Sequence, residues 1–392
     1  MSPVLGDDWP FFRGPQHDGI SRESEWQAVW PKSGPKIAWR KELGIGASSF
    51  AVVGNRVLTM GSQDDHDILW CLSAEDGEVL WKFRYVCEFI DHNFEGGTLS
   101  TPTIDGTFVY SLSYDGQVHC VRLDSGELVW RKHLVDDFQG RRSSWDYAAS
   151  PLVVGDLIIF DTGGDGLSTV ALNKLTGEKV WGEGDDHAGY STPIPFVHQD
   201  TPGVLVFKAR ALVANHLTTG RELWRINWRT KYDVNASCPT VVGDYLFVSS
   251  GYGGRRARGA AFRLGGAEPE QLWVNDDIET KMNSAIVYEG HIYCVSERAG
   301  GQLMCVDFQT GKTVWSEKQF AQYGTLTLAD GKLVVLDEDG DLVIADATPD
   351  KYTERSRATV LEGRCWSVPV LSNGRIFARN NKGKMVCLDV RR

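Results

Sequence analysis

Five segments of this chain carry the same three residues at the same spacing: a small residue, a glycine six positions on, and a tryptophan four positions after that. They are Cys71, Gly77 and Trp81; Cys120, Gly126 and Trp130; Ala171, Gly177 and Trp181; Ala214, Gly220 and Trp224; and Cys305, Gly311 and Trp315. A spacing kept this often marks one supersecondary unit copied along the chain, and such units are stable when copies bury one another's faces. Trp39 and Trp273 stand in similar but degenerate settings, so successive tryptophans lie 42 to 51 residues apart, a period that fits a four-stranded propeller blade.

The copy from Thr101 to Trp130 shows the unit most clearly. Alternating apolar residues predict strands over Thr101–Ile104, Phe108–Ser113 and Gln117–Arg122, broken by Asp105-Gly106 and Asp115-Gly116, with a fourth strand running into Trp130. Strand starts give the blade number independently of tryptophan: Ser49, Ser100, Ser150, Thr192, Cys238, Ser284, Thr325 and Val368 each open an apolar run, which makes eight. The seventh copy has lost its tryptophan, and the eighth, from Val368 to Val390, ends after three strands. Its fourth strand is expected from Lys36–Lys41, pairing beside Lys384–Asp389 and leaving no open sheet edge. The expected architecture is an all-β, eight-bladed β-propeller of four-stranded antiparallel blades over 36–392, its last blade closed by an N-terminal strand. Residues 1–35 lack periodicity and read as an extended arm. Its aromatics Trp9, Phe11, Phe12, Trp26 and Trp30 are too many for a disordered tail and are expected to dock on the ring.

The segments Ala171–Trp181 and Cys305–Trp315 resemble the tryptophan-docking repeat of the quinoprotein (PQQ-dependent) dehydrogenase propellers, and the chain from about 36 to 390 resembles the wider PQQ-like, BamB-like repeat family. The resemblance implies the propeller fold. It does not fix the function, because one repeat hosts unrelated activities. Dehydrogenases of that kind are much longer and set a vicinal Cys-Cys over their quinone, whereas no two cysteines are adjacent here. Nor do the Asp, Glu and Asn of their Ca²⁺ site match positions in this chain, and Ca²⁺ wants six or more converging oxygens. No cofactor is expected, PQQ included, and no metal.

A formal charge of −11 argues against a nucleic-acid partner, and the basic groups at Arg141-Arg142 and Arg255-Arg256-Ala257-Arg258 read as solvated loop charges. No apolar run approaches the length that spans a bilayer, and no signal-peptide pattern precedes the arm. Of the eight cysteines, Cys71, Cys120, Cys305 and Cys387 share a repeat slot that Ala171, Ala214 and Ala345 also fill, the behaviour of a small buried hydrophobe. Cys87, Cys238, Cys294 and Cys365 show no metal spacing, so free thiols are expected throughout. This favours the cytoplasm, or the periplasm if an export signal has been removed. A monomer is expected.

Any functional site is expected where the long loops after each tryptophan strand meet at one mouth of the channel, since a concave ring of aromatics with a few charges is a ligand-pocket composition. The candidate ligand-binding residues are Asn93, Glu95, Arg142, Trp145, Tyr190, Tyr232, Asn235, Asn283, Tyr323 and Trp366. The sequence holds no Walker loop, dinucleotide fingerprint, GxSxG or HExxH. The primary expectation is a non-catalytic binding or scaffold module for a protein or small polar ligand at the mouth. The alternative is an enzyme acting on a small polar substrate such as a carbohydrate, or a quinoprotein-type oxidoreductase, with acid/base groups drawn from His92, Asp146, His187, Tyr190, Tyr232 and Lys281.

Overall fold

The computed structural model describes residues 7–91, 94–252 and 258–392. The basic run at 255–257 and the candidates His92 and Asn93 lie outside the described residues. Eight antiparallel four-stranded sheets form the blades of a propeller. Blade 1 comprises Ala51–Val53, Arg56–Gln63, His66–Ser73 and Val79–Val86, and blades 2 to 7 repeat that order, each sheet pairing strands consecutive in the chain. Blade 8 contributes Val370–Ser372, Arg375–Arg379 and Lys384–Asp389, and its outer strand is Lys36–Glu42, with Lys36 opposite Asp389 and Trp39 opposite Cys387. The ring thus closes as the sequence predicts, with an ion pair of 2.8 Å from Lys36 to Asp389 across the joint.

The register explains the repeat. Each small residue sits directly across the ladder from its tryptophan: Cys71 faces Trp81, Cys120 faces Trp130, Ala171 faces Trp181, Ala214 faces Trp224 and Cys305 faces Trp315. A larger residue there would fill the space the indole needs. The glycine in turn receives the tryptophan of the preceding blade. A Cβ on Gly126 would lie 2.6 Å from the Trp81 ring, and one on Gly220 would lie 2.5 Å from Trp181. These glycines also hold positive φ, 73° and 76°, so both contact and backbone require glycine. The indole N–H completes the seam by donating to a carbonyl of that next blade, as Trp81 does to Leu123 at 2.9 Å and Trp181 to Leu217 at 3.0 Å.

Most residues that the sequence assigns to strand starts stand just ahead of the inner strands, not in them. Thr192, for example, precedes Ile194–His198, because the intervening Pro193 has no N–H to give a ladder. They link blades instead. The N–H of Ser49 donates to the Thr101 hydroxyl, Thr101 to Ser150, Ser150 to Thr192 and Cys238 to Ser284, at 2.8 to 3.0 Å, a belt around the channel. Thr325 lies inside its strand, Gly324–Ala329.

The arm runs across the ring end opposite the long loops. Trp9 exchanges backbone hydrogen bonds with Val52 of blade 1, and Ile20–Ser21 pairs in parallel with Leu328 and Ala329 of blade 7, making that sheet five-stranded. Trp9 and Trp26 are buried, and Trp30 packs on the cluster between blades 7 and 8.

Candidate functional site

Opposite the arm, connections between blades and loops within them converge on a cavity of about 340 Å³ at the channel axis. Its rim carries Phe94, Trp145, Tyr190, Tyr252 and Trp366, together with Lys281 and Met282. Ser49, Thr101, Ser150 and Thr192 of the hydroxyl belt line its wall, and Phe12 reaches it from the arm. Lys281 is the one Lys, Arg, Asp or Glu among the described lining residues.

Tight turns and buried hydrogen bonds hold the rim. Trp145 sits on the turn closed by Asp146 N–H to Ser143 carbonyl at 2.9 Å, where Asp146 takes φ of 59°. The Trp145 N–H donates to the Tyr190 hydroxyl at 3.3 Å, and the two rings meet edge-on with centroids 6.2 Å apart. Tyr190 is set in turn by its N–H to the Asn235 carbonyl at 3.0 Å, while the Asn235 amide donates to the carbonyls of Lys208 and Ala209. Beneath lies a buried ion pair of 2.7 Å from Lys208 to Asp161, whose second oxygen accepts the Gly189 N–H. Burial alone would favour the neutral forms, pushing the Asp161 carboxyl up and the Lys208 ammonium down. The attraction between the two charges and their hydrogen bond oppose this.

On the facing rim, the Lys281 ammonium lies 4.1 Å from the Tyr252 ring centroid and 4.6 Å from that of Tyr323, and donates to the Tyr323 hydroxyl at 2.8 Å. Its nearest carboxylate, Glu297, is 3.9 Å away. Burial raises the Glu297 carboxyl above its ordinary range, opposed by Lys281. Trp366 stands between Phe94 and Tyr323, with centroids at 5.7 and 6.2 Å, and its indole N–H donates to Glu338 at 3.1 Å. Arg364 stacks over the Trp366 ring at 4.8 Å while bonding Glu95 at 3.0 Å.

Of the sequence candidates, Trp145, Tyr190, Lys281 and Trp366 line the cavity, and Glu95 and Tyr323 brace lining residues from behind. The others are placed differently. Tyr232 is exposed beside Lys231, whose ammonium covers its ring at 4.9 Å, and His187 is exposed outside the rim. Arg142 reaches Asp146 at 3.3 Å on the outer side of the Trp145 turn. Asn235 and Asn283 are buried and spend their amides on backbone carbonyls, Asn283 on Val295 at 3.0 Å. Phe94 and Met282 lie in the long loops expected at the mouth though not among the named candidates, and sequence reasoning missed Phe12 and Tyr252 as lining residues. Tyr252 lies in a loop between the middle strands of blade 5, and its signal was the glycine-flanked Gly251-Tyr252-Gly253 in an otherwise alternating stretch. No helix among the described residues is long and apolar enough to cross a membrane.

No curated protein sequence matches this chain. Solved structures share its architecture. BamB from Moraxella catarrhalis aligns with a TM-score of 0.68 at 17% identity, covering 91% of this chain and 100% of that one. Quinohemoprotein alcohol dehydrogenase from Comamonas testosteroni aligns at 0.68 and 13% identity, covering 98% of this chain and 80% of its own. A europium-containing methanol dehydrogenase aligns at 0.69 and 12% identity, covering 97% and 89%. At these identities the likeness shows the fold alone. The family model described as outer membrane protein assembly factor BamB matches residues 88–317, more than half of the sequence, and the chain belongs to that family of PQQ-like β-propeller repeats.

Proposed function

We propose that this propeller is a binding module that captures an apolar or aromatic group, presented by a partner protein, in the cup at its mouth. The observation that carries this reading is the lining: five aromatic rings and Met282 around the opening, with Lys281 as the one Lys, Arg, Asp or Glu among the described lining residues. Aromatic walls of this kind reward burial of a flat or apolar group. The rival reading, an enzyme acting on a small polar substrate, needs an acid and a base within reach of one atom. Among the described candidates only Tyr190 and Lys281 line the cup, and Lys281 is already engaged with Tyr323 and two ring faces.

The lining does not fit Ca²⁺-bound PQQ as the dehydrogenases hold it. No carboxylate lines the cup among the described residues, and those residues contain no group of three or more His, Cys, Asp or Glu suited to a metal. Eight free, buried thiols support a cytoplasmic address.

Isothermal titration with N-acetylphenylalaninamide tests the reading. Trp145→Ala and Trp366→Ala are expected to weaken binding at least about tenfold, the worth of a lost stacking contact. Melting temperatures should stay within a few degrees. Tyr232→Ala, outside the cup, should bind as the parent protein does. Equal binding by all three variants would remove the cup from consideration.

A further inference from the structure

Phe12 belongs to the arm, yet it shares the cup with rim and belt residues that come from the ring. The path of the arm explains how. Trp9 bonds Val52 of blade 1, and the Pro10 carbonyl accepts the N–H of Ile104 in blade 2 at 2.9 Å. Only three residues later Arg13 is on the other side of the ring, its guanidinium donating to the Thr240 hydroxyl of blade 5 at 3.3 Å and to the Ala285 carbonyl at the start of blade 6 at 2.9 Å. Blades 1 and 5 face each other across an eight-bladed ring, so the arm crosses the axis between Trp9 and the Arg13 side chain, turning where the Gly14 N–H donates to the Phe11 carbonyl at 2.9 Å, and Phe12 stands on that turn. The crossing is held at both anchors. Trp9 is buried in the cluster between blades 8 and 1 with Gly14 against its ring, and Arg13, also buried, is held in a left-handed conformation (φ 67°) by further bonds to the carbonyls of His17 and Asp18. A non-glycine residue at positive φ is strained, and persists where the surroundings over-determine it.

We infer that the arm is the floor of the binding cup, and that Phe12 is a specificity-determining residue that converts an axial channel into a blind pocket and sets how deep a bound group can go. This rests on the reading of the cup as a binding site, but its test requires no ligand. All eight native cysteines are buried, which gives a silent background for thiol chemistry. In Phe12→Cys, native protein should take up one equivalent of methyl methanethiosulfonate. The reaction should run at least about 100-fold faster than at the native thiols, which react only through local opening. A thiol reagent carrying a group too large for about 340 Å³, such as a dextran-linked methanethiosulfonate, should leave Cys-bearing position 12 unmodified. An unchanged melting temperature shows that the arm is still docked. If position 12 reacts only on denaturation, it is sealed core and the floor assignment fails. If small and large reagents react alike, the arm does not close the channel, and the assignment fails as well. Loss of N-acetylphenylalaninamide binding contrasts among the rim variants would overturn the proposed function and leave the labelling result standing.

Discussion

The seam between blades 3 and 4 and the seam between blades 4 and 5 use the same residue in two ways. At the first, Trp181 covers Gly220 of the next blade and donates its indole N–H to Leu217. At the second, Trp224 is just as buried, but its N–H has no partner among the described residues, the position six after Ala261 in the next blade is Ala267, and neither Gly265 nor Gly266 of that loop lies against the indole. Trp224 instead packs edge-on against Phe196 at 5.6 Å within a cluster that includes Trp228, Phe207 and Leu264. Burial of the indole is common to both seams, and the hydrogen bond and glycine seat are not. Apolar contact therefore holds blades together, while the repeat signature adds alignment.

Substitution to alanine removes what the seams share, so Trp181→Ala and Trp224→Ala should each cost about 3–5 kcal/mol in denaturant unfolding. A loss confined to Trp181 would show that the docking geometry, not burial, carries the seam.

The seam between blades 1 and 2 adds a buried acid to a docked tryptophan. Burial lifts the Asp67 carboxyl to about 7; Ser62 donates to one of its oxygens at 2.5 Å, and the other has no partner among the described residues. A carboxyl raised in the folded state contributes stability that is fully present below its unfolded value and lost as pH rises through the folded one. Between pH 4 and pH 8 the protein should lose on the order of 3–4 kcal/mol that Asp67→Asn does not lose. Parallel stability curves for the two proteins would remove this assignment.

The glycine seats come next. Gly220→Ala forces a Cβ into the Trp181 ring at positive φ and should cost roughly 2–4 kcal/mol, whereas Gly265→Ala should lie within about 0.5 kcal/mol of the parent. The smallest expected contrast is to phenylalanine. Trp181→Phe strands the Leu217 carbonyl and should cost about 1–2 kcal/mol more than Trp224→Phe, which gives up no hydrogen bond.

The ring was legible in the sequence because one blade geometry dictates three residues at fixed spacing: a small residue opposite the indole, a glycine beneath it and the indole itself. Even the closure could be read, since Cys387 keeps its slot opposite Trp39 after the outer strand has moved to the other end of the chain. The cup was legible only in part. Its residues come from separate blades and from the arm, and no period relates them. Tyr232 and Asn235 are neighbours in sequence to rim-bearing loops, yet one faces outward and the other turns to backbone carbonyls beneath Tyr190, because side-chain direction in an irregular loop follows local turns. Phe12 lies in an aperiodic stretch whose docking could be foreseen from its aromatics but whose path across the axis could not.

The central claim is that the cup at the mouth, floored by the arm, is the binding site. Crystals soaked with small neutral aromatic fragments test it most directly. The account predicts fragment density inside the cup against Trp145 or Trp366, lost in Trp145→Ala and Trp366→Ala crystals. Fragments found elsewhere on the ring, with the cup holding only water, would contradict it.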